Sequence, residues 1–385
     1  MRGSFEAGVG MAPGPIALVA SSYHPHVGGV EEHVRQVAAE LRRRGRQVAV
    51  WTVDRGEHLG TAQVDGVEVR YLPCPLPSAS VGGVLRFILA LPPAVRAWRA
   101  AYRALRPSVL HVQCFGPNGI WAWALARRTR TPLVISSHGE TSGDDHNVFE
   151  KSTLLRWSLG RAVRDASLTT GCSEVVLADL RRRFGLDDGV VVPNGVNLDE
   201  KLDPAHVQAC GPVVLALGRI ERTKGFDLLL RAFARADLPP GTRLALGGDG
   251  TEVAVLRALV TELGVADQVS FLGVLRRDGV AGWLDAATVL VVPSRYEAFG
   301  IVILEAWRAG TPVIATSRGG PAEIVTEGVD GLLVDPLDVD SLAAALATLL
   351  RDRDLARRLS VAGRRTVERY TWARTTDKYE ELYRR

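Results

Sequence analysis

Short apolar runs, rich in β-branched residues, alternate with amphipathic stretches along nearly the whole chain. In the first half these runs are IALVA at 16, VAVWTV at 48, VLHVQ at 109, LVISSH at 133 and LTTGCS at 168. After residue 210 the pattern begins again with VVLALGR, TRLALGG, VSFLG, TVLVVPS and TPVIAT. Such alternation is typical of parallel β/α units, so two successive series predict two doubly wound α/β domains.

The domain boundary is predicted within residues 192–212, where Pro, Asn, Gly and Asp replace the periodic apolar residues. We assign residues 1–12 to a disordered tail, 13–200 to an N-terminal Rossmann-like domain, 201–368 to a C-terminal Rossmann-like domain and 369–385 to a C-terminal helix packed across the boundary. Ligands of open parallel sheets bind at the carboxyl ends of the strands, so the cleft between the domains is the expected site.

Composition narrows the class of protein. A chain of 385 residues exceeds the usual size of one core, and 46% apolar with 23% charged residues is typical of a soluble globular protein. A net charge of +4 is too small for a dedicated nucleic-acid binder. Four widely spaced cysteines without C-x-x-C predict reduced thiols. The first apolar run is too short for a signal sequence, and no uninterrupted run reaches membrane-spanning length, so we expect a cytoplasmic protein.

Two glutamates, Glu297 and Glu305, lie in SRYEAFGIVILEAWRAG. A helix is predicted from about Phe299 to Ala309, with Glu297 in the loop before it. Helix geometry would separate the two backbones by ~12 Å and ~80°, whereas glycosidase carboxylates lie roughly 5 to 9.5 Å apart. The spacing therefore favours two contacts to different parts of one elongated ligand. The alternatives are a solvated Glu297 at the helix start and a protein partner for Glu305.

Arg219 and Lys224 lie in GRIERTKGFD, between the strand VVLAL and a helix that begins near Phe226. At the carboxyl end of a strand, a guanidinium and an ammonium can grip phosphate oxygens. The alternative is that they pair with Glu221 or Asp227. Lysine is scarce, four against 43 arginines, which favours a chemical role for Lys224.

Paired glycines, Gly28 and Gly29, connect the first strand to the first helix in HPHVGGVEEHV. They can let backbone amides approach a phosphate at the helix start, or they can form an ordinary tight turn. Neither G-x-G-x-x-G here nor a Walker A sequence anywhere is present.

His138 follows the strand LVISS and precedes an acidic loop containing Glu140, Asp144 and Asp145. A histidine at a strand end can contact a sugar or transfer a proton, or it can simply bond to the backbone. The acidic loop, if it lines the cleft, disfavours a phosphorylated acceptor and suits a polyol or an amine.

Two D-x-D sequences, at 338 and 352, raise the question of a metal. Both lie on or beside predicted helices, and the first is interpreted as a helix N-cap. We assign no metal site.

Four arginines, Arg96, Arg99, Arg103 and Arg106, align on one face of a helix predicted within residues 92–107. Such a face can lie on anionic lipid, which would place the protein at the inner face of a membrane. More commonly it is a solvated face.

Together these motifs resemble the family-4 retaining glycosyltransferases of the GT-B fold. The resemblance extends from Ile16 to about Tyr383 and includes GGVEEHVRQVAAELRRRGRQVAVWT, VVPNGVN, GRIERTKGFDLLLRAF, GGDG, VSFLGVL and VVPSRYEAFGIVILEAWRAGTPVIATSRGGPAEIVTEGVDGLLV. The E-x7-E segment is its most specific part. The resemblance implies two Rossmann-like domains facing across a cleft, with the C-terminal helix crossing back to the first. It also implies that residues 13–200 bind the acceptor and residues 201–368 bind the nucleotide sugar.

The resemblance also implies roles for individual residues. Arg219 and Lys224 would hold the donor's diphosphate, Glu297 would contact the donor sugar, Glu305 the ribose hydroxyls, and His138 the transferred sugar near the reaction centre. The other implied donor-binding residues are Gly28, Gly29, Gly218, Ala298, Phe299, Gly300 and Ile301. No metal, cofactor or protein nucleophile is implied.

The implied reaction is retaining transfer of a hexosyl unit from a nucleotide-diphosphate sugar, a UDP-sugar being favoured over GDP-mannose, to a polyol, glycan or aminocyclitol-like acceptor. Two departures stand out: Trp307 replaces a commonly small residue, and GGPAE at 319–323 replaces Gly-Gly-x-Pro-Glu. The alternatives are a non-catalytic sugar-nucleotide-binding homologue and, disfavoured by the missing fingerprint, a Rossmann oxidoreductase.

Overall fold

The computed structural model describes residues 14–26, 28–77, 80–142, 148–199, 207 and 211–384. The predicted tail, residues 1–12, lies outside the described residues, as do Asp144 and Asp145 of the acidic loop. The strands of the first sheet end at Val191 and those of the second begin at Val213. The domain limits set out above stay predictions.

The first series of elements comprises β1 (Ile16–Ala20), α1 (Gly29–Arg43), β2 (Val48–Val53), β3 (Thr61–Val64), β4 (Val67–Leu72), α2 (Val81–Leu105), β5 (Val109–Gln113), α3 (Pro117–Thr129), β6 (Leu133–Ser137), α4 (Val148–Lys151), α5 (Thr153–Asp165), β7 (Leu168–Gly171), α6 (Glu174–Phe184) and β8 (Val190–Val191). Its strand order is β3-β4-β2-β1-β5-β6-β7-β8, antiparallel only between β3 and β4. Every residue of β1, β5 and β6 is buried, as expected for central parallel strands covered on both faces.

The second series comprises β9 (Val213–Leu217), a 3-10 turn (Arg222–Lys224), α7 (Phe226–Arg235), β10 (Arg243–Gly247), α8 (Val253–Glu262), a 3-10 turn (Ala266–Gln268), β11 (Val269–Gly273), α9 (Arg277–Ala286), β12 (Val289–Val292), α10 (Ile301–Ala309), β13 (Val313–Thr316), α11 (Pro321–Ile324), β14 (Leu332–Val334), α12 (Val339–Arg351), α13 (Arg353–Thr366), a 3-10 turn (Val367–Arg369) and α14 (Trp372–Leu382). Its strand order is β11-β10-β9-β12-β13-β14, all parallel. The two doubly wound sheets predicted from the apolar runs are therefore confirmed.

The C-terminal helix α14 completes the core of the first domain. Trp372, Tyr379 and Leu382 pack in one cluster with residues of β1 and α1, among them Leu18 and Val34. On the surface of the same contact, Arg44 pairs with carboxylates of α14. The predicted return of the last helix to the first domain is confirmed.

Helix α2 differs from the prediction. It begins at Val81 rather than near Pro92, and both Pro92 and Pro93 lie inside it. Ser80 caps its start by accepting a hydrogen bond from Gly83 N at 3.1 Å. Arg106 is not helical, because it follows the last turn with φ of 47°. The basic face is therefore the second half of a longer helix.

Trp307, the unexpected large residue of α10, is fully buried. Its indole Nε1 donates to Asp330 O at 2.8 Å. A Cβ on Gly363 of α13 would lie 2.3 Å from Trp307 Cδ1, so a glycine makes room for the ring. The departure from the family pattern is thus matched by its packing partner.

Candidate functional site

In each sheet the strand order runs outward in opposite directions from one central strand. Predicted site residues lie in the loops that follow these central strands or their neighbours. β1 lies between β2 and β5, and β9 lies between β10 and β12. Crevices of doubly wound sheets open at the carboxyl ends of such strands. Gly28 and Gly29 follow β1, Arg219 and Lys224 follow β9, and Glu297 follows β12.

Lys224 and Glu297, predicted from separate motifs, form an ion pair. Lys224 Nζ donates to Glu297 Oε2 at 2.8 Å, and the two side chains are 24% and 13% exposed. Ser294 Oγ donates to the same oxygen at 3.0 Å. An ammonium has three donors, so this pairing leaves Lys224 donors for a ligand.

Arg295, which the sequence analysis did not consider, fixes the loop that carries Lys224. Its guanidinium donates to both carboxylate oxygens of Asp227 at 2.7 Å and to Arg222 O at 2.8 Å. Burial alone would raise the pKa of Asp227, but the hydrogen bonds and charge of Arg295 lower it below its usual value. Asp227 is therefore occupied, and its alternative pairing with Lys224 does not form.

Arg219 is exposed, and within the described part of the chain its guanidinium makes no hydrogen bond or ion pair. Glu221, its alternative partner, instead accepts from Thr251 Oγ1 at 2.5 Å. The loop is held by its backbone, since Gly218 N donates to Gly247 O at 3.0 Å. Among the described residues, none neutralises the positive charge of Arg219 beside the second sheet.

The loop before α10 touches the first domain. Ser173 Oγ donates to Ala298 O at 2.7 Å. A Cβ on Gly139 would lie 2.5 Å from the Cβ of Ala298, and Gly139 has φ of 91°, so only glycine fits there. Phe299 is buried beneath this contact, and Gly300 is the N-cap of α10.

The starts of α1 and α10 approach each other across the cleft. Gly28 is the N-cap of α1 and Gly29 its first residue. A Cβ on Gly29 would lie 3.7 Å from Ile301 Cδ1, the first residue of α10. Neither helix has a side-chain cap at its start. Two helix N-termini, each favourable to an anion, therefore lie close together.

Glu305 lies in the middle of α10 and is half-buried. The mainly buried helix predicted around it is observed, since Ile303, Leu304, Ala306 and Trp307 are all buried. Glu305 makes an interaction within the protein. Its contact with ribose stays a prediction.

His138 follows β6 and is held by Gln113, the last residue of β5. His138 Nε2 lies 2.8 Å from Gln113 Oε1. An amide oxygen only accepts hydrogen bonds, so Nε2 carries the proton. Burial lowers the pKa of His138 well below its usual value, so the ring is neutral and Nδ1 keeps its lone pair.

Further buried polar groups link the first sheet to α14. His111 Nδ1 lies 2.5 Å from Tyr383 Oη, and its Nε2 lies 2.7 Å from Ser136 Oγ. Tyr379 Oη lies 3.1 Å from His33 Nε2. Burial lowers the pKa of His33 to about 4 and that of His111 to about 3. These neutral histidines form part of the support beneath the cleft.

Three hydrogen bonds hold the Glu140 side chain within the first domain. Its carboxylate accepts hydrogen bonds from Phe115 N at 2.9 Å, Ser137 Oγ at 2.9 Å and His138 N at 2.8 Å. Burial raises the pKa of Glu140 despite these bonds. The Glu140 carboxylate thus connects the loops that follow β5 and β6. The predicted contacts of Glu140, Asp144 and Asp145 with the acceptor stay predictions.

The sequence analysis missed Gln113, Ser294 and Arg295, each at or just beyond the carboxyl end of a strand. Their position at the carboxyl ends of strands was the signal that could have identified them. Polar residues are common at such ends, so the signal is weak. No group of three or more His, Cys, Asp or Glu residues suited to a metal occurs among the described residues.

Two family models match adjacent parts of the chain. The model described as Glycosyltransferase Family 4 matches residues 27–200, and that described as Glycosyl transferases group 1 matches residues 201–366. The D-inositol 3-phosphate glycosyltransferase of Xylanimonas cellulosilytica is 30% identical over 92% of this chain and 91% of its own length. The phosphatidyl-myo-inositol mannosyltransferase of Mycobacterium leprae is 30% identical and covers 92% of each chain.

Solved structures share the fold. Sucrose-phosphate synthase from Thermosynechococcus elongatus superposes with a TM-score of 0.82 at 26% identity, covering 96% of this chain and 98% of that one. Anabaena Alr3699/HepE in complex with UDP-glucose has a TM-score of 0.74 at 22% identity, covering 95% and 98%. The second likeness bears on the fold alone.

Proposed function

This chain belongs to glycosyltransferase family 4 and has the GT-B fold, and from that premise we propose that it moves a hexosyl unit, with retention of configuration, from a nucleotide-diphosphate sugar to an acceptor hydroxyl. A UDP-sugar is the favoured donor, with GDP-mannose as the alternative. The acceptor is a polyol, a glycan or an aminocyclitol-like molecule.

The observation that carries the proposal is the arrangement after β9 and β12. Lys224 is paired with Glu297 through one donor, while Arg219 has no neutralising partner among the described residues. The starts of α1 and α10 lie nearby across the cleft. Two cations and two helix N-termini supply charge of the sign that a nucleotide diphosphate requires.

These groups also fit the chemistry of the leaving group. Negative charge grows on the diphosphate as the bond to the sugar breaks, and fixed cations stabilise that charge more in the transition state than before it. The arrangement does not require a protein nucleophile, because the acceptor hydroxyl can attack on the face from which the diphosphate departs. Glu297, held by Lys224 and Ser294, is a hydrogen-bond acceptor for hydroxyls of the donor sugar.

On the opposite wall, His138 offers the acceptor nitrogen Nδ1 to a sugar hydroxyl, since Nε2 is engaged by Gln113. Nearby Arg183 donates to Thr141 O and pairs with Glu150 and Asp179, so its charge is already compensated. This supports an acceptor without a phosphate at that loop. The names of the relatives keep a phosphorylated inositol as the alternative acceptor to be tested.

The proposal is tested by thermal shift followed by product analysis. One nucleotide sugar among UDP-glucose, other UDP-hexoses and GDP-mannose should raise the unfolding temperature, whereas NADH should not. Incubation of that donor with polyol, inositol, inositol phosphate and aminocyclitol acceptors should release nucleoside diphosphate, and proton NMR of the product should show the donor's anomeric configuration. An inverted product would contradict the proposal, and donor binding without transfer to any acceptor would support the non-catalytic alternative.

A further inference from the structure

The first half of α2 exposes a continuous apolar surface. Val81, Leu85, Ile88 and Leu89 are 89%, 57%, 56% and 68% exposed. Pro92 extends this surface and is also exposed. Single exposed apolar side chains are ordinary, but a contiguous patch of large ones marks an interaction site.

The second half of α2 exposes only arginines as its charged residues. At 100° per residue, Leu85, Ile88, Arg96, Arg99 and Arg103 fall within about 80° of one another around the helix axis. All three arginines are exposed. One outward face of α2 therefore changes from apolar to basic along its length.

The second half of α2 packs against the first domain with the face opposite to its arginines. Trp98, Ala101 and Leu105 are buried in its core. Trp98 Nε1 donates to Pro73 O at 3.0 Å, and its ring meets Trp51 edge to face at 5.9 Å. The half of α2 that carries the arginines is thus held against the first domain.

The neighbouring sequence supplies no negative charge to this face. Between Glu68 and Glu140 the chain contains nine arginines and no acidic residue. Arg96, Arg99 and Arg103 have no ion pair with any described residue. Their charge is free to meet an external anion.

We propose that the outward face of α2 docks the protein on an anionic lipid bilayer. Leu85, Ile88 and Leu89 enter the boundary between headgroups and acyl chains, and Arg96, Arg99 and Arg103 contact lipid phosphates. Buried apolar area and attraction to anionic headgroups are the two terms that hold an interfacial helix. This interaction is independent of the proposed sugar transfer.

A bilayer fits this face better than a second copy of the chain. In a two-fold contact the same surface meets itself, so arginines would face arginines or leucines with no carboxylate opposite. A bilayer with anionic lipids offers apolar depth and negative charge together.

Crossing the bilayer is a poorer fit. The helix is long and apolar enough to span a membrane by length and composition, with mean hydropathy of 1.3 over its best window. However, its second half carries three exposed arginines on one side and the core of the first domain on the other. The helix is therefore placed to lie along the surface.

The test is co-sedimentation of the full chain with vesicles of phosphatidylcholine alone or mixed with phosphatidylglycerol. We expect binding to the anionic vesicles that weakens with salt. Replacing the arginines together, R96Q/R99Q/R103Q, should weaken it on the order of a hundredfold, and L85S/I88S should weaken it by about tenfold or more.

Matched controls keep the result specific. R353Q/R358Q/R365Q removes three exposed arginines of α13 that make no ion pair with a described residue, and V255S/V274S removes two exposed apolar side chains from the second domain. Both controls should bind vesicles like the original protein. All variants should keep the original unfolding temperature and the same transfer to a water-soluble acceptor.

Three results would overturn the proposal. They are no binding of the original protein to anionic vesicles, equal binding of the α2 and control variants, and concentration-dependent dimers by light scattering that disappear in L85S/I88S. The last result would assign the face to a second copy. Loss of transfer with vesicle binding intact would instead count against the proposed function.

Discussion

Gln113 Oε1 lies 2.8 Å from His138 Nε2, so a buried amide determines which nitrogen of the histidine carries the proton. The consequence is that His138 meets a substrate as a neutral ring with its lone pair on Nδ1. In the proposed site the amide acts on a substrate by orienting His138.

Replacing Gln113 with leucine should therefore disturb His138 without removing it. We expect a mixture of ring tautomers, visible in the nitrogen-15 shifts of His138, and a fall in kcat of about tenfold with little change in the KM for the donor. Gln63→Leu, on exposed β3, is the matched control. Unchanged tautomers together with unchanged kcat would show that Gln113 does not position His138.

Removal of the Lys224 ammonium should abolish most transfer. Lys224→Ala takes away one of the two cations that we propose face the leaving diphosphate, so kcat should fall by roughly 10² to 10³ and the donor should stabilise the protein less. Lys378→Ala, at an exposed lysine of α14, should behave like the original protein. Near-normal turnover of folded Lys224→Ala would contradict the assigned role.

Glu305 is expected to act on donor binding rather than on the chemical step. Loss of hydrogen bonds from ribose hydroxyls to a carboxylate should raise the KM of Glu305→Ala for the nucleotide sugar by about tenfold or more. Donor analogues lacking those hydroxyls should bind the variant and the original protein equally. Glu262→Ala, at an exposed position of α8, is the control. If Glu305→Ala also binds the analogue without those hydroxyls more weakly than the original protein does, Glu305 has a structural role instead.

Stability should fall in mild acid. Burial lowers the pKa values of His33, His111 and His138 in the folded state, whereas the unfolded residues titrate near 6.5. Below that pH the unfolded chain binds protons that the folded chain does not, so stability is complete above about 6.5 and is lost towards pH 4. Each histidine contributes up to about 1.4 kcal/mol per pH unit.

Urea unfolding at pH 7.5, 6.5 and 5.5 measures this dependence. His111→Gln should reduce the slope by up to one proton. Equal free energies of unfolding at all three pH values would contradict the neutral buried state of the histidines.

Transfer should not depend on a divalent metal. In the proposed mechanism Arg219 and Lys224 supply the positive charge that a metal would otherwise bring to the diphosphate. Activity measured in EDTA should therefore equal activity in added magnesium or manganese. A loss in EDTA that is restored by one metal would contradict the assignment.

Most of the fold could be read from the sequence because the central strands are buried on both faces and form continuous apolar runs. The strands missed were those that lack this property. β3 alternates exposed and half-buried residues, yet Asp65 and Gly66 have φ of 50° and 75°, a turn that the Asp-Gly pair could have indicated. The start of α2 was misplaced because a proline pair is usually a helix boundary.

The site was predictable where a residue type matched an expected ligand. Lys224 and Glu297 were both selected, but nothing in the sequence indicated that they pair, since 73 positions separate them. Gln113 and Arg295 act through neighbours contributed by other strands. Such contacts depend on strand order, which the apolar runs alone do not specify.

Tyr379 lies in α14 and Tyr383 directly follows it, yet they contact His33, His111 and the strands of the first sheet. The first sheet is complete in sequence at Val191, whereas α14 begins at Trp372. During synthesis, the floor beneath His138 therefore stays open until the second domain and α14 have emerged from the ribosome. The wall of the cleft that the first domain forms cannot mature before the second domain has been made.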